Sequence, residues 1–244
     1  MRYLFAPLLL LSLPAVSQAS AQSRTVSVGS FDRIRVEGPF EVRVTIGSPR
    51  ATITRGGGAR GEDGVAVRVD GTTLSVRKGT GGWGEQPRAG ATGSGSGPIV
   101  VTLSTPGLTS ASVSAGGRMT IARMRGMRVD VTVSGNGSLA LAAADTDQLN
   151  ATLIGTGEMT LAGRAARARL ITSGPGMIDA SALAVNDLTV HLDGVGETKA
   201  AARYTAQVTN GGLGTVTIIG PAKCRVDAAA GGPVVCGKPG AMAP

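Results

Sequence analysis

Ser134-Gly135-Asn136-Gly137, Ile154-Gly155-Thr156-Gly157, Ser173-Gly174-Pro175-Gly176 and Asp193-Gly194-Val195-Gly196 are one phrase written four times. With Ala115/Gly117 on one side and Gly212/Gly214 on the other, the phrase recurs every 18 to 20 residues. The second and fourth residues after each second glycine are mostly apolar: Met119/Ile121, Leu139/Leu141, Met159/Leu161, Ile178/Ala180, Thr198/Ala200, Val216/Ile218. The residues two, four and six places before each first glycine are also mostly apolar. Examples are Val133/Val131/Val129, Leu153/Ala151/Leu149 and Leu192/Val190/Leu188, while Thr172 and Asn210 are polar exceptions. A fixed period near 20 with period-two alternation inside it is the pattern of a β-solenoid, so the fold class is all-β, a parallel β-helix.

Each repeat reads as two strands, a short one after the glycine pair and a longer one before the next. Alternate side chains of a strand share a face, so the apolar positions point inward together. One repeat alone cannot fold. Burying each inward side chain yields roughly 1.5–3 kcal/mol, while ordering each residue costs on the order of 1.5 kcal/mol. Stacking makes the core continuous and satisfies the backbone in a parallel ladder. The glycines are expected at the corners, where positive φ is needed.

Outward from this array the chain changes character. Residues 1–21 read as a secretory signal peptide, with Arg2 as the n-region, an apolar run from Tyr3 to Leu13, and Ala19-Ser20-Ala21 as the cleavage site. The expected location is therefore the periplasm or the cell surface. That apolar run is too short to span a bilayer, and no other stretch reads as transmembrane. Residues 22–114 are expected to form irregular N-terminal rungs or a cap. Phe31, Ile34, Val36, Phe40, Val42, Val44 and Ile46 alternate around Gly38-Pro39, and Val65–Val69 with Leu74–Val76 reads as a hairpin through Asp70-Gly71. Glu62-Asp63-Gly64 marks a turn. Gly79–Gly97 is a low-complexity loop holding the only tryptophan, Trp83, and reads as a flexible excursion. Residues 115–221 carry the regular repeats, and 222–244 a C-terminal cap and tail, within one structural domain.

The two cysteines of an exported chain, Cys224 and Cys236, are expected to form one disulfide. Counting back from Gly232, Cys224 takes the place held earlier by Met127, Asp147, Ala166, Asn186 and Tyr204. The remaining chemistry is sparse. The single histidine, His191, has no partner with ligand or triad spacing, and the glycine phrases lack the aspartate that calcium-binding nonapeptides carry in every repeat. No catalytic residue, metal site or cofactor is expected. The net charge is +8, but aromatics make up only 2% of residues, so stacking on nucleic acid bases is not provided for. An anionic envelope component is the more natural counterpart of a positive exported protein.

Three outward columns follow from the same alternation. They are Arg128–Gln148–Arg167–Asp187–Thr205, Asp130–Asn150–Arg169–Thr189–Gln207 and Thr132–Thr152–Ile171–His191–Thr209. Stacked in parallel, such columns step by about 4.8 Å. Arg128, Arg167, Arg169 and His191 are the candidate ligand-binding residues, with an anionic glycan as the expected partner. This reading makes the protein a non-enzymatic binding or adhesion module. Two others compete: a polysaccharide-cleaving β-helix enzyme, which needs a cleft gathering Asp179, Asp187, Asp193 and Lys199, and a self-assembling structural element, which needs flat, uncapped ends.

Phe31-Asp32-Arg33-Ile34-Arg35-Val36-Glu37-Gly38, followed by Val42-Arg43-Val44-Thr45-Ile46-Gly47, resembles the opening of the bacterial head GIN domain, described as an auto-transporter adhesin head. The phrases Ser134–Gly137 and Ser173–Gly176 and the closing Ile219-Gly220-Pro221 resemble its internal repeats and end. The resemblance spans about Val26 to Pro221. It implies a parallel β-solenoid in an exported protein and brings no catalytic residues. The chain departs from the family pattern in the Gly79–Gly97 insertion and the cysteine tail.

Overall fold

The computed structural model describes residues 22–55, 65–79 and 99–237. The signal peptide, the Glu62-Asp63-Gly64 turn, almost all of the loop with Trp83 and the last residues of the tail lie outside the described residues. All regular structure within them is strand, joined in one 17-stranded sheet.

The regular array is a parallel stack. β8 (Ser110–Ser114) and β9 (Arg118–Ile121) precede the long strands β10 (Met124–Ser134), β11 (Ser138–Ile154), β12 (Glu158–Ser173), β13 (Met177–Asp193) and β14 (Glu197–Asn210). Each long strand pairs in parallel with the next. The alternation places the core where the sequence puts it: Val131, Leu153 and Val190 are fully buried. The polar exceptions are satisfied. The hydroxyls of Thr172 and Thr198, both buried, meet at 2.8 Å. Asn210 donates from Nδ2 to the Gly214 carbonyl at 2.8 Å and accepts from Gly212 N–H at 3.2 Å. An unpaired hydroxyl at such a position would cost about 1–3 kcal/mol.

Two expectations need correction. Each rung has three paired segments, not two. In β11 the pairing with β12 runs over 138–141, then 144–146, then 148–154, with a register shift between Leu141 and Ala144 and a skipped residue at Asp147. The middle segment reappears in β12 and β13. The glycines also have two different duties. The first of a pair takes positive φ from Ala115 to Gly194, 82° at Gly135 and 105° at Gly174, but not at Gly212. The second is required by close stacking: a Cβ on Gly176 would sit 2.6 Å from the Gly157 carbonyl oxygen and 2.8 Å from that of Gly155. There the missing side chain lets one rung lie on the next.

At the N-terminal end the chain does not lay its rungs in order. β2 (Arg33–Glu37) and β3 (Glu41–Ile46) form a rung that pairs on one side with β8 and β9. On its other side lie β6 (Thr73–Arg77) and β7 (Ile99–Thr105), which come later in sequence. Antiparallel strands close this end. β5 (Ala66–Asp70) pairs with β6 through the Asp70-Gly71 turn, and β4 (Arg50–Arg55) joins β7 to β1 (Gln22–Val26).

At the other end, β15 (Thr215–Ile219) and β16 (Lys223–Asp227) pair with β14, and β17 (Val234–Gly237) pairs with β15. Cys224 and Cys236 are bonded, with Cα atoms 6.5 Å apart. Cys224 does not take the outward place of Met127 and Tyr204. It pairs with Ala206, in the inward column of Val129 and Leu149, and Cys236 pairs with the inward Ile218. The reason is that Gly232 stacks on Gly212 and Gly214 as the second glycine of its phrase, with Ala230 in the first place. The disulfide therefore crosses the last level of the core from one face to the other.

Replacing both cysteines by serine should lower stability by about 3 kcal/mol on the chain-entropy account. Amide exchange should accelerate in β16 and β17 while β11 to β13 keep their protection. Unchanged exchange in β16 and β17 would show that the bridge holds nothing there.

Candidate functional site

The three outward columns exist as read. Arg128 pairs with Gln148, which pairs with Arg167, which pairs with Asp187; Asp130, Asn150, Arg169 and Thr189 follow in the same registers. Arg128, Arg167, Arg169 and His191 are all exposed on this face. They are not equivalent. Arg128 is tied to Asp130, its Nε donating to both carboxylate oxygens at 3.1 Å. Asn150 Nδ2 donates to the same carboxylate at 2.8 Å. Asp187 accepts from the Thr205 hydroxyl at 2.6 Å. Arg167 and Arg169 have no carboxylate within 4.0 Å among the described residues. Two residues apart on one strand, they stand about 6.6 Å apart. They line a shallow depression of about 190 Å³ with Gln148, Asn150, Asp187 and Thr189. His191 lies one rung over and two residues along from Arg169, at about 8 Å by strand geometry, and is outside that depression. The register also extends the basic columns beyond the sequence reading: Lys223 stacks on Thr205 and Arg225 on Gln207.

A second concavity was not legible in the sequence. The middle segments form a groove of about 860 Å³ that runs across the rungs, along the solenoid axis. Its floor is the inward column Thr146, Ala165, Val185 and Ala202, all buried. One rim is the column Arg125, Asp145, Arg164, Ala184, Ala201 and Ile219; the other rises at the skipped corner positions, from Met127 and Asp147 to Arg203 and Pro221. At the β10–β12 end, Asp145 is shared. Arg164 Nε donates to its Oδ1 at 2.8 Å, and Arg125 Nε lies 3.4 Å from its Oδ2. The hydrogen bond from Arg164 holds the Asp145 carboxyl below its ordinary pKa; desolvation opposes it, and the charges of Arg164, Arg125 and Arg123 add to the lowering. The same hydrogen bond raises Arg164. Both partners therefore remain charged around neutrality. At the far end the rim column and floor are Ala184, Val185, Ala201, Ala202 and Ile219, with Asn186, Arg203 and Pro221 on the opposite rim.

The acids considered for catalysis are scattered. Asp179 accepts from the backbone N–H and hydroxyl of Ser181 at 2.9 and 2.6 Å, and these bonds hold its pKa down. Lys199 pairs with Glu197 at 2.9 Å, which raises it. Asp187 lines the shallow depression, and Asp179, Asp193 and Lys199 line neither concavity.

Residues 30–222 match the family model described as "Putative auto-transporter adhesin, head GIN domain". The chain belongs to this family. Among solved structures, the head GIN domain described here is similar to an adhesin-designated protein of Bacteroides fragilis at 20% identity and a TM-score of 0.74, covering 90% of this chain and 98% of that one. It is similar to another so designated from Parabacteroides merdae at 16% identity and a TM-score of 0.61, covering 89% and 97%. A Parabacteroides distasonis protein, named as lipid binding, aligns at 15% identity with a TM-score of 0.61 over 89% and 97%. At these identities the likeness is one of fold. No curated protein matches the sequence.

Proposed function

We propose that this head GIN domain is an exported, non-enzymatic adhesion module of the periplasm or cell surface. Its contact surface is the outer face of the longer segments. The observation that carries the reading is the pair Arg167 and Arg169: exposed, without a carboxylate within 4.0 Å among the described residues, and set in a shallow dip with Gln148, Asn150 and Thr189, where Asp187 is engaged by the Thr205 hydroxyl. Each guanidinium offers a forked contact to a carboxylate, sulfate or phosphate, and Gln148, Asn150 and Thr189 supply the hydrogen bonds a sugar needs. An anionic glycan is the ligand this chemistry suits. Arg128 contributes less because Asp130 neutralises it, an exposed pair worth about 0–1 kcal/mol. The bonded cysteines support export, since disulfides persist in oxidising compartments.

Two facts weigh against the competing readings. A general acid needs a raised pKa in a cleft, and Asp179 is lowered and outside both concavities. End-to-end assembly needs a long, open edge. Here one end carries antiparallel strands, and the other ends in short strands bearing Lys223, Arg225 and Asp227 next to Pro233.

The test is binding of the purified protein to anionic and neutral polysaccharides across a salt series. Arg167→Ala with Arg169→Ala should reduce salt-sensitive binding to the anionic polymer by about tenfold or more and leave the melting temperature unchanged. Equal binding by the double variant and the parent would remove this face from the function.

A further inference from the structure

We propose that the groove over the middle segments is a second binding site, which takes a single-chain amphiphile with an anionic head group. The head sits between Arg125 and Arg164, and the tail runs over Ala184, Val185, Ala201 and Ile219. This site is on a different face from Arg167 and Arg169 and does not depend on the reading given for them.

The first argument is polarity along one axis. The rim column changes from Arg125–Asp145–Arg164 to Ala184–Ala201–Ile219 within a single continuous groove. From the level of Arg164 to that of Ile219 is three rung steps, about 14 Å. On the opposite rim Asn186 and Arg203 accompany this apolar run, and the Arg203 guanidinium stands over the Tyr204 ring, 5.2 Å from its centroid. A ligand lying along the rim column is therefore charged at one end and apolar for the rest. That length suits the tail of a medium-chain amphiphile.

The second argument is the state of the arginines. Both approach Asp145 through Nε, and the hydrogen bond that Arg164 makes to it uses Nε alone. The terminal nitrogens of the two guanidinium groups, converging from either side of one carboxylate, make no hydrogen bond to an acid among the described residues. Arg125 and Arg164 face Asp145 and, on the opposite rim, Asp147, and Arg123 beside them leaves a net positive charge at the head of the groove. Asp145 is a positioning residue here: it holds the two side chains toward each other. A phosphate or carboxylate head receives forked, charge-assisted contacts from this pair.

The third argument excludes a peptide. The backbone of the floor is already committed to the parallel ladder, Thr146 pairing with Ala165, Ala165 with Val185 and Val185 with Ala202. An extended peptide laid along the groove would place its own N–H and C=O groups against alanine side chains, without partners. A hydrocarbon tail carries no such groups.

The experiment is calorimetric titration of the full chain with laurate and with dodecyl phosphate, each below its micelle concentration. Dodecyl maltoside, inorganic phosphate and anionic vesicles serve as comparisons. One molecule of laurate or dodecyl phosphate should bind per chain, and the stronger of the two identifies the head chemistry as carboxylate or phosphate. Dodecyl maltoside and inorganic phosphate should each bind at least about tenfold more weakly, because each lacks one half of the match. Arg125→Gln with Arg164→Gln should weaken the anionic amphiphile by at least about tenfold. Ala184→Asp, at an exposed position, should do the same without changing the melting temperature. Absence of saturable binding to both amphiphiles overturns the proposal. So does binding to vesicles alone, or affinity unchanged in both the double-arginine variant and Ala184→Asp.

Discussion

Leu153→Asp should leave no folded solenoid, while Ile154→Asp, one residue further on, should change stability by no more than about 0.5 kcal/mol. Leu153 is fully buried and Ile154 is 51% exposed. The contrast follows from the two-residue period of a strand. Truncating a buried leucine costs about 2–5 kcal/mol, and an unpaired carboxylate in the core adds several more in effective penalty. Together these reach the whole stability of an ordinary domain, about 5–15 kcal/mol. The position makes matters worse, because β11 lies between β10 and β12 and its loss divides the stack. Circular dichroism and a thermal melt decide the matter. A cooperative β melt for Leu153→Asp, at or near the parental temperature, would mean that the inward column is wrongly assigned.

Gly176→Ala should destabilise by about 3 kcal/mol or more, and Gly135→Ala by only about 1–2 kcal/mol. Both are corner glycines, and an argument from backbone freedom alone would rank them the other way. Gly135 has φ 82°, and nothing lies within 4 Å of where its Cβ would stand. Gly176 does not have positive φ, but its Cβ would press on the carbonyl oxygens of Gly157 and Gly155 and on a Leu153 methyl 2.8 Å away. Backbone cannot step aside as a flexible side chain does, so relief requires lifting one rung off the next. It would also disturb the hydrogen bond from Gly176 N–H to the Gly155 carbonyl at 2.9 Å. Paired thermal melts of the two variants test the ranking. Equal losses would mean that the close stacking at the second glycine carries no energetic weight.

The columns were legible because they repeat a strong signal in phase. Val133, Leu153 and Leu192 keep a constant offset from their glycines, and the observed registers preserve it. The middle segment was not legible, for two reasons. Its inward residues include Ala165 and Ala202, which give little contrast with their neighbours. It is also where repeat length varies, with register shifts at Leu141/Ala144, Thr160/Ala162 and Ala180/Ala184. An alignment anchored on the glycines hides a segment whose offset drifts. The Arg125–Asp145–Arg164 cluster was missed with it. The uneven spacing of the phrases, 18 to 20 residues, was the available sign. Cys224 was misplaced by two residues because Ala230 occupies a glycine's place. Lys223 and Arg225 fell out of the basic columns for the same reason.

The order of the rungs at the N-terminal end bears on how the chain reaches this state. Arg33 to Glu37 take one set of partners from residues 73–77 and the other from 110–114. Glu41 to Ile46 wait for residues 100–105 and 118–121. A chain emerging from its N-terminus therefore has no completed level to build upon while its first fifty residues are exposed. The earliest stretch that can stack on its immediate sequence neighbour begins at β8. Loop closure across tens of residues must precede the N-terminal pairings, and such closure is slow compared with adding a neighbouring rung. Assembly should thus start within β10 to β14 and reach β2 and β3 last, so that the first part of the chain to be synthesised is the last to acquire its fold.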